Sequence, residues 1–352
     1  MAVNRTSRRQ LGAPTISDVA RRAGVSPMTV SRVINAEGNV RPATRELVND
    51  AIAALNYAPN QSARNLAGAA QVRIGLLYGN PSAGFVGEFL VGSLDEATRR
   101  NVQLVFERCA PGERDVQAAA RLVDDGVDGV VLTPPLCEST AVLDLFAAAG
   151  IPTMLLATTQ RHRDQLAVAI DDRRAAHEMV RHLVLLGHRR IGFVIGDPNL
   201  SASAHRLQGY RDALVEAGLP EEATLIVPGL FTYRSGLDAA ELLLGLGEPP
   251  TAIFASNDDM AAATVAVAHR HAMDVPGDLT VVGFDDTTLA TAIWPELTTI
   301  RQPIADMARC AVNMLTDAIR GPGAGATATV ELLDFVLVRR ESDASPRRPH
   351  GA

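Results

Sequence analysis

The chain contains no lysine: all 33 of its basic residues are arginine. A phosphate-loop lysine, a Schiff-base lysine and a lysine general base are therefore excluded. Cysteine is nearly as scarce. Cys109, Cys137 and Cys310 are odd in number and far apart, with no CxxC pair. That pattern fits reduced thiols in a cytoplasmic protein better than a disulfide framework or a zinc site. No apolar run approaches the roughly 18 residues of a spanning helix, and the N-terminus lacks a signal-peptide apolar region, so no membrane association is expected. GxSxG, HExxH and a GxGxxG after the first strand are all missing. His177, His182 and His188 are spaced by five and six, which scatters them around a helix and its end. The acidic pairs Asp124-Asp125, Asp171-Asp172 and Asp285-Asp286 are adjacent, so each pair points two ways. No metal, no cofactor and no enzymatic activity are expected.

What is present is enough apolar sequence for a large core. The 352 residues are 47% apolar and 21% charged, which at roughly 150 residues per domain makes two to three domains. The net charge of −7 conceals an asymmetry. Residues 1–70 carry nine arginines against four acids, or +5, while the remainder carries 24 against 36, or −12. A small basic head on a larger acidic body implies that only the head meets a polyanion.

The head reads as three short helices. Thr15-Ile16-Ser17-Asp18 precedes an apolar pattern at Val19, Ala20 and Ala23, giving a helix capped near Thr15 or Ser17. Gly24 breaks it. Ser26-Pro27 restarts helix, with serine as N-cap and proline at the first helical position, where no N–H is missed. Val30, Val33 and Ile34 give the second helix its apolar face. Small Ala20 allows a close crossing, Gly24 makes the turn and Val30 fills it, as in a helix-turn-helix. A purely structural helical hairpin shares this pattern. A third amphipathic helix follows at Val48, Ala51, Ile52 and Leu55, begun by Pro42.

The run Thr15-Ile16-Ser17-Asp18-Val19-Ala20, then Gly24 through Asn35, then Leu55-Asn56-Tyr57-Ala58-Pro59-Asn60 resembles the LacI family of bacterial regulators, and matching segments continue to about residue 340. The resemblance implies a disordered basic arm (1–13), a helix-turn-helix domain (14–58), a hinge (59–71), an effector-binding core (72–341) and a tail (342–352). The second helix would enter the major groove by its N-terminal end. There Pro27 and Met28 sit at the tip, Met28 offers apolar contact to a thymine methyl, and Arg32 reaches guanine with two hydrogen bonds. Thr15, Ser17, Ser26, Thr29, Ser31, Asn35, Asn39, Thr44 and Tyr57 are candidates for backbone and positioning contacts to double-stranded DNA. In several of these a local role competes: Ser17 and Ser26 also suit helix caps, and Tyr57 also suits packing. The hinge, with Asn60, Ala63 and Leu66, would become helical on DNA, Leu66 being the wedge in the central base step. Some relatives carry lysine just after that leucine, where this chain has Ala67.

From residue 72 short apolar strands alternate with helical stretches. Strands are expected at Arg73–Tyr78, Val102–Phe106, Gly129–Leu132, Pro152–Leu156 and Leu166–Ile170, then at Arg190–Ile195, Leu225–Val227, Ala252–Ala255 and Leu279–Phe284. This alternation predicts an α/β core of two doubly wound parallel-sheet subdomains. The resemblance to periplasmic sugar-binding proteins divides it into about 72–170 with 302–328, and about 171–298 with 329–341.

Ligands of such sheets sit at strand carboxyl ends and in the cleft between halves. The resemblance assigns ligand contact to Arg206, Asn257 and Asp285, with Phe85 and Phe231 as aromatic lining; Asp171 is a further polar residue at a strand end. Carboxylate, amide and guanidinium groups above an aromatic face suit a sugar or glycoside. For Asp258 and Asp286 capping of the next helix is preferred. The tail, polar and proline-rich, is expected to be disordered. It shows no leucine heptad of the kind some relatives use to form tetramers, so a homodimer is expected. A periplasmic-type sugar sensor is the second reading, but it would need a signal peptide and would not need the head.

Overall fold

The computed structural model describes residues 15–34, 40–55, 71–109, 114–160, 165–321 and 329–347. They fall into two compact units, residues 1–71 and 72–352.

In the first unit α1 (Ile16–Ala23), α2 (Pro27–Ile34) and α3 (Pro42–Leu55) enclose one small core of Val19, Ala20, Val30, Val33, Val48 and Ala51. Thr15 begins α1 as the N-cap of a capping box: its hydroxyl accepts from the Asp18 N–H at 3.3 Å, and its own N–H donates to Asp18 Oδ2 at 2.9 Å. Gly24 ends the helix with φ of 67°, a left-handed conformation that costs a residue with a Cβ about 1–2 kcal/mol. Val30 is fully buried, worth about 1.5–3 kcal/mol.

The second unit holds two sheets. Its first half runs β1 (Arg73–Tyr78), α4 (Ala83–Arg100), β2 (Gln103–Arg108), α5 (Asp115–Asp124), β3 (Gly129–Leu132), α6 (Thr140–Ala148), β4 (Thr153–Leu156) and β5 (Leu166–Ala169). The chain then crosses to α7 (Asp172–Leu186), β6 (Ile191–Val194), α8 (Ser201–Glu216), β7 (Ile226–Val227), α9 (Tyr233–Leu244), β8 (Ala252–Ala255), α10 (Asp258–Arg270), β9 (Thr280–Asp285), α11 (Leu289–Ala292) and β10 (Thr298–Arg301). It returns through α12 (Ile304–Arg320) to β11 (Val330–Leu332) and crosses again to β12 (Val336–Val338). Sheet orders are β11-β5-β4-β3-β1-β2 and β12-β10-β9-β8-β6-β7. Every pairing is parallel except β12 against β10. Strands β3, β6 and β8 are buried at every position, as expected where helices cover both faces. Helix α12 buries Ile304, Met307, Ala308, Ala311, Val312 and Leu315, a continuous stripe at helical spacing that faces the first sheet.

Two expectations are corrected. The segment 329–341 does not belong wholly to the second half, because Val330–Leu332 extends the first sheet beside β5. Nor is the start of the tail disordered. Ser342 Oγ donates to the Val281 carbonyl at 2.6 Å and accepts from the Thr298 N–H at 2.9 Å, while the Val281 N–H donates to the Ser342 carbonyl at 2.9 Å. Asp343 is buried against Thr298, His182 and Arg339. The tail thus satisfies backbone groups of β9 and the start of β10 that would otherwise be orphaned. Among the described residues no helix is long and apolar enough to cross a membrane.

Candidate functional site

In the first unit the tip of α2 is open. Pro27 and Arg32 are exposed, and the Met28 side chain is 66% exposed although it is large and apolar. A methionine left in water at a helix N-terminus contributes nothing to the small core beneath it, which makes it available for contact. Ser26 caps α2: its hydroxyl accepts from the Thr29 N–H at 3.2 Å and bonds the Thr29 hydroxyl at 2.9 Å. Thr15 likewise caps α1, and its hydrogen bond to Asp18 holds that carboxyl below its usual range. Ser17 is exposed, and Ser31 and Thr44 are half-buried. Asn35, Asn39, Tyr57, Asn60, Ala63 and Leu66 lie outside the described residues.

In the second unit a cavity of about 400 Å³, its open mouth included, lies between the two sheets. Each lining residue lies at or after the carboxyl end of a strand, where this architecture places its ligands. Asn80, Ser82 and Phe85 follow β1, Pro134 follows β3 and Ala157 follows β4. Leu200, Ala202 and Arg206 follow β6, Phe231 follows β7 and Asn257 follows β8. Asp285 ends β9, and Gln302 follows β10. Five of the six expected effector residues meet here.

The sixth does not. Asp171 is the N-cap of α7, exposed, accepting from the Arg174 N–H at 2.9 Å, and it is not among the lining residues. Its neighbour Asp172 turns inward instead and accepts from Arg206 Nε at 2.8 Å. Both partners of this pair are at least nine-tenths buried. Burial pushes the Asp172 carboxyl up, while the Arg206 charge pulls against that rise.

Arg206 is held on three sides. Nε meets Asp172, Nη1 donates to the Ser256 carbonyl, and the guanidinium carbon lies 3.5 Å above the centre of the Phe284 ring. A desolvated cation on an aromatic face gains about 2 kcal/mol. The result is a guanidinium fixed in orientation before any ligand arrives.

Asp285 faces it from β9. Burial raises its carboxyl well above the usual range despite the Arg206 charge, and Gln302 Nε2 donates to its Oδ1 at 2.5 Å. Its φ of 110° is rare for a residue with a side chain, and Asp286 follows at 56°. Backbone strain of this kind concentrates at binding sites. Phe231 sits at φ of 56°, and its ring occupies the space above Gly196, where an added Cβ would lie 1.9 Å from Cζ. Any side chain at 196 would evict the ring.

Asn257 serves two purposes. Its Oδ1 accepts from the Met260 N–H at 3.0 Å as the N-cap of α10, and its Nδ2 donates to the Phe231 carbonyl at 3.0 Å. The capping expected of Asp258 therefore falls to Asn257. Asp258 is buried, accepts from the Thr287 N–H and the Thr299 hydroxyl, and is pushed up by burial to about 7. Asp286 pairs with Arg301 and Arg340 rather than capping a helix. The three histidines go separate ways: His177 to Glu216, His182 to Asp343, His188 to Thr251 and the Ala344 carbonyl. Among the described residues no cluster of metal ligands forms.

Sequence reasoning missed Asp172, Ser82 and Gln302 as parts of this site. Gln302 carried a usable signal: a long polar residue directly after an apolar strand and before the proline that starts α12. Ser82 carried none.

A basic three-helix unit with an open recognition tip, joined in one chain to a two-sheet unit with a polar cleft, defines a ligand-responsive DNA-binding regulator. Two family models match the chain: bacterial regulatory proteins of the lacI family over residues 15–60, and a periplasmic binding protein-like domain over residues 180–342. The catabolite control protein A of Priestia megaterium is 36% identical over 304 residues, covering 86% of this chain and 91% of that protein. A solved CelR–cellobiose complex matches with a TM-score of 0.71 at 32% identity, covering 94% of this chain and 99% of that one. The lac repressor dimer, solved on operator with the anti-inducer ONPF, matches with a TM-score of 0.73 at 28% identity, covering 95% of this chain and 100% of that one. The chain belongs to the LacI family and is a DNA-binding transcriptional regulator, not an enzyme.

Proposed function

We propose that this regulator is a cytoplasmic repressor that binds a palindromic operator as a homodimer and leaves it when a small carbohydrate, a sugar or glycoside, enters the cleft. The observation that carries the effector half is the Arg206 guanidinium, fixed by Asp172 and Phe284 and facing a cavity that also presents Asp285, Asn257 and the rings of Phe85 and Phe231. Sugar hydroxyls need donors and acceptors together, and sugar C–H faces need an apolar platform. The CelR complex with cellobiose, from a relative that shares this fold, supports the same class of ligand.

On DNA, α2 lies in the major groove with Pro27 and Met28 at its tip and Arg32 reading a guanine. Ser17, Ser31 and Thr44 supply positioning contacts, while Thr15, Ser26 and Thr29 combine such contacts with the capping described above. The hinge segment, with Asn60, Ala63 and Leu66, enters the minor groove, and Asn35, Asn39 and Tyr57 complete the set. The lac repressor solved as a dimer on operator supports the two-fold arrangement, which a palindrome mirrors. Effector binding changes the relation between the two halves of the core, and the hinges lose their pairing. A coupling of about 2–3 kcal/mol suffices, since it changes affinity by about 30- to 150-fold.

Selection from random duplexes of about 30 base pairs at about 150 mM salt tests this reading. Enrichment of one palindrome is expected. Retention with no shared sequence would mean that the head binds charge alone, and the repressor reading would fall.

A further inference from the structure

Several contacts span the cleft at the rim of the cavity, and one of them repairs a defect in a helix. Helix α8 starts at Ser201 behind Leu200, an N-cap whose side chain makes no capping hydrogen bond. Helix starts leave N–H groups without partners, and an apolar N-cap does nothing for them. The partner comes from the opposite half. Glu138 ends the short 3-10 turn Leu136–Glu138 after β3, and its Oε2 accepts from the Ser201 N–H at 2.9 Å. Its Oε1 accepts from the Ser201 hydroxyl and, at 2.6 Å, from the hydroxyl of buried Thr158. One carboxylate thus takes three donors, two of them from across the cleft.

The position is what gives this contact a role. Leu200 and Ala202, on either side of Ser201, line the cavity, as does Ala157 beside Thr158. The Glu138–Ser201 contact is therefore part of the cavity's rim. Arg206 lies five residues further along α8, about one and a half turns, on the same rigid element. On another part of the rim Ser82 Oγ donates to Asp259 Oδ2 at 2.6 Å, and Gly84 sits so close to Thr287 that an added Cβ would lie 2.7 Å from it. Asp259 meets only the hydroxyl of the α4 N-cap Ser82, whereas Glu138 takes a backbone N–H at the start of α8, where the dipole favours negative charge.

We propose that Glu138 is a positioning residue: it caps α8 in trans, the cap exists only while the cleft is closed, and it thereby holds closed the helix that carries Arg206. Opening returns the Ser201 N–H and the Glu138 carboxylate to water, so the cap favours the closed form by about tenfold. The inference deepens the effector reading above, but its first test needs no effector.

Nitroxides placed at exposed Ala148, after α6's last full turn, and exposed Ala217, after α8, report the distance between the halves by electron–electron coupling. The protein is full-length, with Cys109 and Cys310 replaced, and labelled chains are diluted with unlabelled ones so that pairs within one chain dominate. Glu138→Ala is expected to add a second, longer distance, the closed-to-open ratio falling about tenfold. Glu138→Gln keeps an acceptor for the N–H and should lie between the two. Ser201→Ala removes a donor from the other side and should move the same way by less, which keeps the test sound if the Glu138 variant folds poorly. A distance distribution in Glu138→Ala and Ser201→Ala identical to that of the unsubstituted chain overturns the proposal. Calorimetry with cellobiose then separates the two readings: failure to bind counts against the carbohydrate effector, whereas unchanged distances count against Glu138.

Discussion

The two units of this chain place function on opposite sides of their surfaces. In the head the buried residues, Val19, Ala20, Val30, Val33, Val48 and Ala51, only hold three helices together, and the candidate contacts Pro27, Met28 and Arg32 are exposed around them. In the core the candidate contacts Arg206, Asn257, Asp285 and Phe85 are themselves buried. A surface that reads a long, rigid polyanion must project into a groove, while a site for a small molecule must surround it. The consequence is energetic. Contacts at the exposed tip of the head are largely separable from folding, and core contacts are not.

Substitutions that respect or cross that boundary test it. The largest effect is expected for Arg206→Ala, which strands buried Asp172 without its partner and should lower the stability of the core by about 3–5 kcal/mol. Denaturant unfolding measures that loss, and Asp172→Asn in the same chain should restore part of it. Arg32→Ala should disturb unfolding far less than Arg206→Ala does, while costing about 1–3 kcal/mol of discrimination at one base pair. Competition between the selected palindrome and a single-site mismatch checks this, and retained preference would contradict the recognition-helix assignment. Gly24→Ala should cost about 1–2 kcal/mol in the head alone, since a Cβ there meets nothing within 4 Å and only the left-handed backbone resists it. Amide exchange at Val30 should quicken while that of β3 stays constant.

The smallest effect concerns pH. His188 is 1% exposed, and burial holds its imidazole below the ordinary histidine value, with Asp343 and His182 nearby. A base whose folded pKa is depressed contributes stability that is full above the unfolded value of about 6.5 and is lost as pH falls through the folded one. The His188 contribution to the core's melting temperature should therefore fall between pH 7 and pH 5, against an opposite trend from Asp258 and Asp285, whose buried carboxyls are raised, so it is read as the difference between the unsubstituted chain and His188→Gln. The head, with no histidine in residues 1–70, should not share it.

The same contrast explains what could be read from the sequence. The head's site is local: Ser26-Pro27 announces α2, Gly24 the turn, and the tip follows directly. The strands were legible because parallel strands buried on both faces are continuous apolar runs, as in Gly129–Leu132 and Ala252–Ala255. The cavity was legible only where a charged or aromatic residue marked a strand end. Ser82, Ala157, Leu200 and Ala202 are ordinary residues made into a lining by loops from both halves, and nothing in their neighbourhoods announces it. Asp171 and Asp172 show the limit most clearly, because a one-residue step at a strand-to-helix junction decides which carboxylate caps the helix and which meets Arg206. The tail deceived for a different reason. Its partners are backbone groups of Val281 and Thr298, which composition does not register.

In the proposed function, a ligand in the core cavity governs what the exposed tip holds. Fluorescence anisotropy of the selected palindrome, titrated with a panel of neutral mono- and disaccharides including cellobiose, tests it most directly. The unsubstituted protein is predicted to leave the DNA with at least one sugar, and Arg206→Ala, folded and bound to the same duplex, is predicted to stay. Release of both proteins at the same sugar concentration, or of neither with any sugar, would contradict it.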